Sequence, residues 1–285
     1  MPVWWVTGAN GFVGRHVVSR LAKRLVEPWN STEGSEPRLL AWVRHNPPPG
    51  LWPDRVEIVQ TEITDSGVLQ FAHDSASPDH VIHCAGRTPP APDEELRLAN
   101  LETTRNLIAG LRRLGKPVRL VVAGSAAELG PVEEADLPVR EEYPCRPTDE
   151  YGRIKWEASR AALSESPPIE PIVARIFNPI GPGLPASQAF GHFARQLATP
   201  GRDPLTLRAG NLDTRRDFVD IRDVADAMIA LALDGIPRTV YNIGSGRSHR
   251  VGDGLNELIR LSGRAVRLEL DPSLGGSRGP SDSRA

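Results

Sequence analysis

Met1-Pro-Val-Trp-Trp-Val-Thr-Gly-Ala-Asn-Gly-Phe-Val-Gly14 opens the chain, and its reading decides the fold. Val3 to Val6 form an apolar run that ends in three glycines, Gly8, Gly11 and Gly14. Phe12, Val13, Val17, Val18, Leu21 and Leu25 then recur at helical spacing. A strand, a glycine turn and a helix in direct succession are how a doubly wound sheet receives a dinucleotide. Without a Cβ, Gly8 and Gly11 let main chain approach a pyrophosphate, and Gly14 lets the helix lie close on the strand. The helix N-terminus adds unpaired N–H groups and partial positive charge. Asn10, Phe12 and Val13 fall in the same turn and are expected at the cofactor. A glycine turn with no ligand is the plainer alternative; its place directly after the first strand weighs against it.

Outward from this stretch, strands are expected at 39–43, 56–59, 80–84, 118–123 and 171–177. Helices are expected at 64–72, over 92–114 and from near Asp149 onward. The alternation predicts an α/β fold, a Rossmann-type doubly wound parallel sheet with helices on both faces. Residues 28–37 are polar and turn-rich, and read as a loop. From about residue 178 Gly and Pro become frequent, with a helix over 187–197 and a short strand at 205–207. A helix over 224–233 and a strand over 239–243 then bring back the earlier rhythm. Residues 1–177, with 211–243 returning to them, are therefore assigned to the nucleotide domain. Residues 178–210 and 244–285 are assigned to a small C-terminal substrate-binding lobe, with a disordered Gly/Ser/Pro/Arg tail from about 274.

The 285 residues suffice for that architecture, and a net charge of −2 gives no electrostatic case for nucleic acid or an anionic membrane. No apolar stretch approaches a membrane span, and the first residues enter a strand with no leader-like segment. Cys84 and Cys145 fit neither a metal spacing nor a disulfide framework, so no metal is expected and a reducing cytoplasm is.

In a doubly wound sheet the ligand crevice lies beyond the carboxyl ends of the strands. The second strand ends at Arg44, where an acidic residue would bind the ribose of NAD and an arginine favours a 2′-phosphate. Arg44, with Arg15 or His45 beside it, points to NADP (NADPH), with NAD as the alternative. Arg44 could also be an exposed loop arginine in an arginine-rich chain. Glu62-Ile63 follow the third strand, and His83-Cys-Ala85-Gly86 end the fourth. After the fifth come Gly124-Ser125-Ala126-Ala127, and Tyr151-Gly-Arg-Ile-Lys155 opens the next helix. Tyr and Lys four apart sit one turn apart on one helix face.

Together these motifs resemble the extended branch of the short-chain dehydrogenase/reductase superfamily, over nearly the whole chain. The resemblance implies that Tyr151 donates a proton, that Lys155 lowers its pKa and holds the nicotinamide ribose, and that Ser125 bonds the substrate oxygen. It also implies a catalytic-site Asn100, which a helix-kink bond would equally explain, and places Glu62, Ile63, Ala85, Gly86 and Phe177 at the cofactor. Dehydratases of the family carry an acid pair where Ala126 and Ala127 stand, and Glu128 is one residue late for that role.

Arg175-Ile-Phe-Asn178-Pro-Ile-Gly-Pro-Gly183, Arg216-Asp-Phe-Val-Asp220, Tyr241-Asn-Ile-Gly-Ser-Gly246 and Leu270-Asp-Pro-Ser273 look like segments of family members that handle GDP-sugars. Asn178, Arg195 and Arg216 are then expected to meet a substrate diphosphate, with Thr88 at the cleft mouth. An ion pair of Arg216 with Asp217 or Asp220 is its structural alternative. Extended members normally continue further than Ala285, so a more open pocket or a smaller substrate is expected. The helices over 92–114 and 150–163 match the family's dimer contact, and a homodimer is expected. The resulting expectation is an NADPH-dependent reductase of a nucleotide-linked 4-keto-6-deoxyhexose. The alternatives are an NAD(P)-dependent sugar-nucleotide epimerase and a non-catalytic NADP-binding protein.

Overall fold

The computed structural model describes residues 2–25, 37–74, 77–201, 204–274 and 282–285. Strand β1 (Val3–Thr7) and helix α1 (Phe12–Arg24) form the opening unit. β2 (Arg38–Val43), β3 (Val56–Gln60), α2 (Asp65–Asp74) and β4 (His80–His83) follow. The helix expected over 92–114 is α3 (Asp93–Arg97) and α4 (Thr103–Leu114), joined by a π turn at Leu98–Glu102. β5 (Val118–Ser125), α5 (Glu150–Leu163) and β6 (Ile169–Ile176) complete the first half.

Seven parallel strands stand in the order β10-β6-β5-β4-β1-β2-β3, where β10 is Thr239–Ile243. From β1 the chain runs outward to β3 and then returns to the other side of β1 as β4. The crevice beyond β1 and β4 is thus the topological switch point, where such sheets bind ligands.

Alternate side chains feed two cores. Trp4 and Val6 face Val17, Val18 and Leu21 of α1 and Val224, Met228 and Ile229 of α7 (Ile221–Asp234). Trp5, Leu40 and Trp42 face Val68 of α2 and Leu107, Ile108 and Leu111 of α4. Burial on both faces is why these strands read as continuous apolar runs.

The lobe holds β7 (Asn178–Ile180), α6 (Ala189–Ala198), β8 (Leu205–Ala209), β9 (Arg215–Asp220), β11 (Ser248–Arg250), α8 (Val251–Ser262) and β12 (Val266–Leu270). β7, β9 and β11 make one small sheet, and β8 and β12 another. Phe193, Leu197, Leu207, Val251 and Leu255 form its core. Of the stretch 211–243 assigned to the nucleotide domain, β10 joins the large sheet and α7 covers it, but β9 pairs with β7 and β11.

The reading of 274–285 as a disordered tail is corrected for its last four residues. Asp217 N–H donates to Ser283 O at 2.8 Å and Val139 N–H to Arg284 O at 3.0 Å. Ala285 packs beside Leu129, Val139 and Phe177. A buried carboxylate, that of Asp217, accepts from Ala285 N–H at 3.1 Å, and composition alone could not foresee this partner. Residues 275–281, and the expected loop up to residue 36, lie outside the described residues.

Candidate active site

The glycine turn folds over the end of β4. Gly8 has φ +63°, and a Cβ there would lie 2.5 Å from the main chain of Ala85. Gly14 sits under the carbonyl of Gly8, so the helix starts against the turn. Gly11 caps α1 with no side-chain hydrogen bond, and no acidic residue stands in the first helical turn. The helix therefore presents bare N–H groups to an anion.

A cavity of about 640 Å³ lies beside this turn. Gly8, Asn10, Gly11, Arg44, Glu62, Ile63, Ala85 and Gly86 line it, together with His45 and Asn106. The dinucleotide expectation fits: a cradle closed to any Cβ, an uncapped helix end and the Arg44 side chain meet in one cavity, whose lining also carries Glu62, Glu95 and Glu102. Phe12 and Val13 stand on α1 and pack against the core, with Gly14 buried beside them. Arg15 turns away from the rim of Arg44 and His45. It donates to the carbonyl of Gly183, and His16 Nε2 lies 3.0 Å from Pro182 O, so these two residues tie α1 to the lobe.

A hydrogen-bond chain runs behind the cavity. Thr7 Oγ1 is 2.6 Å from His83 Nδ1, and His83 Nε2 is 3.0 Å from Thr104 Oγ1. Thr104 Oγ1 donates to Asn100 O at 2.6 Å, so it must accept from His83 Nε2–H, and Nδ1 then accepts from Thr7. Burial pushes His83 down to about 3, which keeps the ring neutral and the tautomer fixed. Asn100 completes the chain: its amide donates to Arg87 O at 2.9 Å and Leu96 O at 2.8 Å. A Cβ on Gly86 would reach Asn100 Oδ1 at 2.6 Å. Asn100 thus holds the loop after β4 from within the π turn. Thr88 lies exposed on that loop.

Ser125 closes β5 and Tyr151 opens α5, whose start is fixed by Asp149 Oδ1 accepting from Gly152 N–H at 2.7 Å. The Tyr151 hydroxyl faces Ser125, whose hydrogen bonding favours the phenolate. Burial pushes the phenol up to about 12 against that bond, with Glu128 and Asp149 adding to the rise. The expected lowering of Tyr151 by Lys155 is not seen. The Lys155 ammonium points at Ala123 O, 2.6 Å away, and burial governs the phenol. Burial also lowers Lys155, with Glu128 and Cys84 opposing.

Glu128 is the residue that sequence reasoning set aside. It is 1% exposed and accepts from Ser125 N–H at 2.8 Å and Ser159 Oγ at 2.9 Å. Arg175 Nε of β6 lies 3.6 Å from its other oxygen. A charged residue three after Ser125 was the available signal, since a capping box needs that spacing.

The lobe residues are more dispersed. Asn178 donates to Asp217 O at 3.1 Å, and Phe177 is buried beside Leu129 and Val139. Arg195 is exposed on α6. Arg216 donates to Arg215 O at 2.7 Å and faces Asp282. Asp217 accepts from Ser245 and Gly246 N–H at 2.7 and 3.0 Å, and Asp220 pairs with Arg222. Among the described residues no group of three or more His, Cys, Asp or Glu could hold a metal ion, and no helix is long and apolar enough to cross a membrane.

The profile of the NAD dependent epimerase/dehydratase family matches residues 4–244. The chain belongs to this family. It is 32% identical over 282 residues to GDP-6-deoxy-D-mannose reductase of Pseudomonas aeruginosa, covering 94% of this chain and 81% of that one. It is 30% identical over 276 residues to dTDP-6-deoxy-L-talose 4-dehydrogenase (NAD(P)(+)) of Kitasatospora kifunensis, covering 95% and 83%. A solved structure of RMD from Pseudomonas aeruginosa complexed with NADPH superposes with a TM-score of 0.77 at 25% identity, covering 100% of this chain and 90% of that one.

The epimerase/dehydratase assignment agrees with the extended short-chain resemblance and with the Rossmann sheet. Chemically, this member of the family sets a phenol at the start of α5 and a serine hydroxyl at the end of β5 near a buried ammonium, while the cavity is lined from the glycine turn, the ends of β2, β3 and β4 and the π turn.

Proposed function

We propose that the protein is an NADPH-dependent reductase of a nucleotide-linked 4-keto-6-deoxyhexose. The observation that carries this reading is the half-buried Tyr151 phenol at the start of α5, facing Ser125 at the end of β5, with Ala126 and Ala127 where an acid pair would stand. That set can protonate a carbonyl oxygen and lacks the acid pair that elimination of water requires.

NADPH, when bound, supplies the hydride for the carbonyl carbon. The chain supplies the rest. Ser125 Oγ orients the C4 oxygen, and Tyr151 transfers its phenolic proton to that oxygen as negative charge develops. Lys155, one turn further on α5, supplies positive charge near the phenolate left behind. Arg44 and His45 on the cavity rim favour a 2′-phosphate. Asn178, Arg195 and Arg216 are the donors proposed for the substrate diphosphate.

The test is NADPH oxidation with GDP- and dTDP-linked 4-keto-6-deoxyhexoses, against the Tyr151→Phe protein. An epimerase would use the same three residues but keep its cofactor. Nicotinamide nucleotide surviving gel filtration with the purified protein would favour that reading.

The outer faces of α3, α4 and α5 are proposed to meet a second copy of the chain. Leu98, 56% exposed, stands on that surface, and light scattering of the purified protein checks it. Cys84 and Cys145 are both free thiols, which supports a reducing, cytoplasmic setting.

A further inference from the structure

We propose that Glu128 is a positioning residue for Ser125, Tyr151 and Lys155: its carboxylate fixes the Ser125 main chain from beneath the end of β5 and stands between the cations Lys155 and Arg175. The kinetic part of this inference rests on the reductase reading; the rest does not.

The geometry is built around one buried carboxylate. Oε1 accepts from Ser125 N–H at 2.8 Å and Ser159 Oγ at 2.9 Å, and Oε2 faces Arg175 Nε at 3.6 Å. Gly124 makes room for it, since a Cβ there would lie 2.9 Å from Oε1 and 2.8 Å from Val173 Cγ1. Arg175, 3% exposed, reaches Asn242 Oδ1 and Cys145 Sγ at 3.3 Å each, and its Nε has no hydrogen-bond partner.

Such an ion pair is an uneconomical way to fill a core. Replacing a buried pair with apolar residues is often neutral or stabilising, so stability alone does not account for Glu128. Its neighbours do. Tyr151 and Lys155 face it from α5, Arg175 from β6 and Cys145 from the loop before α5. Asp149 also acts on Tyr151, while Cys84 and His83 at the end of β4 face Lys155. Burial pushes the Glu128 carboxyl up, and Arg175, Lys155, Ser125 and Ser159 oppose that rise; once ionised, it strengthens the hold of Lys155 on its proton and opposes ionisation of Tyr151. Both effects keep the proton donor loaded as pH rises.

Glu128→Gln keeps an acceptor for Ser125 and Ser159 and removes the charge. Its alkaline limb of kcat in NADPH-dependent reduction should move down by about one pH unit, the size expected of one nearby charge. A second readout needs no substrate. Ultraviolet titration of the Gln variant should reveal a tyrosinate at lower pH than in the wild type, absent from Glu128→Gln/Tyr151→Phe. Glu128→Asp retains the charge and should keep the wild-type limb even where kcat falls; it carries the test if the Gln variant does not fold. Equal rate losses at every pH with unchanged tyrosinate onset, or a shifted limb in Glu128→Asp, would overturn the proposal. If the wild type reduces no 4-keto nucleotide sugar, the reductase reading fails and the tyrosinate titration still decides the role of Glu128.

Discussion

Lys155 donates from its ammonium to the main-chain oxygen of Ala123 at 2.6 Å, which ties α5 to the strand that ends in Ser125. Lys155→Met removes a buried cation and leaves a carbonyl without its donor. Reduction should fall at least a hundredfold, and unfolding stability by ~1–3 kcal/mol for the unsatisfied carbonyl. Steady-state kinetics and urea titration of the variant measure the two effects separately.

Tyr151→Phe removes the proton donor and leaves the ring. Turnover should drop by roughly 10²–10⁴, the usual contribution of a positioned acid. NADPH affinity, read by quenching of protein fluorescence, should stay within about twofold of wild type. Substantial residual turnover would remove Tyr151 from the mechanism.

Gly8 and Gly50 separate strain from collision. Both have positive φ, but a Cβ on Gly8 meets the main chain of Ala85, whereas one on Gly50 meets nothing within 4 Å. Gly50→Ala should cost ~1–2 kcal/mol, the left-handed penalty alone. Gly8→Ala should cost more and also abolish NADPH binding, because the turn must move to admit the methyl group. Thermal melts with and without NADPH compare the pair.

Arg44→Ala should weaken NADPH binding about tenfold or more, the loss of one charge-assisted bond, and leave NADH binding nearly unchanged. Equal loss for both cofactors would assign Arg44 a role other than reading the 2′-phosphate.

Asp220 caps α7 by accepting from Arg222 N–H at 2.8 Å, and it pairs with the Arg222 guanidinium. That side-chain bond, offset in part by desolvation, brings its carboxyl down to about 2. A folded-state pKa below the unfolded value of 3.8 stabilises the ionised form, so the contribution is full above about pH 4. It should disappear as pH falls from about 4 toward about 2. Asp220→Ala should therefore destabilise by ~1 kcal/mol at neutral pH, and the gap from wild type should close in acid. Denaturant titrations across that window measure it.

The sheet and the ends of its strands are legible in the order of residues alone. Gly8, Gly11 and Gly14 between an apolar run and a helical period leave one compact solution, and the Tyr151–Lys155 spacing fixes both side chains to one helix face. These are local consequences of backbone sterics and helical pitch, so they survive without tertiary information. The lobe strands β9, β11 and β12 were not legible as elements, because they are short and half exposed and carry no continuous apolar run.

What each polar group meets depends on the folded chain. It turned Arg15 toward Gly183, gave Asn100 to the loop after β4, and occupied Asp217 with Ser245, Gly246 and Ala285. It also placed Glu128 under Ser125, where its charge acts on Tyr151 and Lys155. Hydrogen bonds and charges act over a few ångströms between residues far apart in the chain. Motif spacing can name the chemistry, but packing distributes its partners.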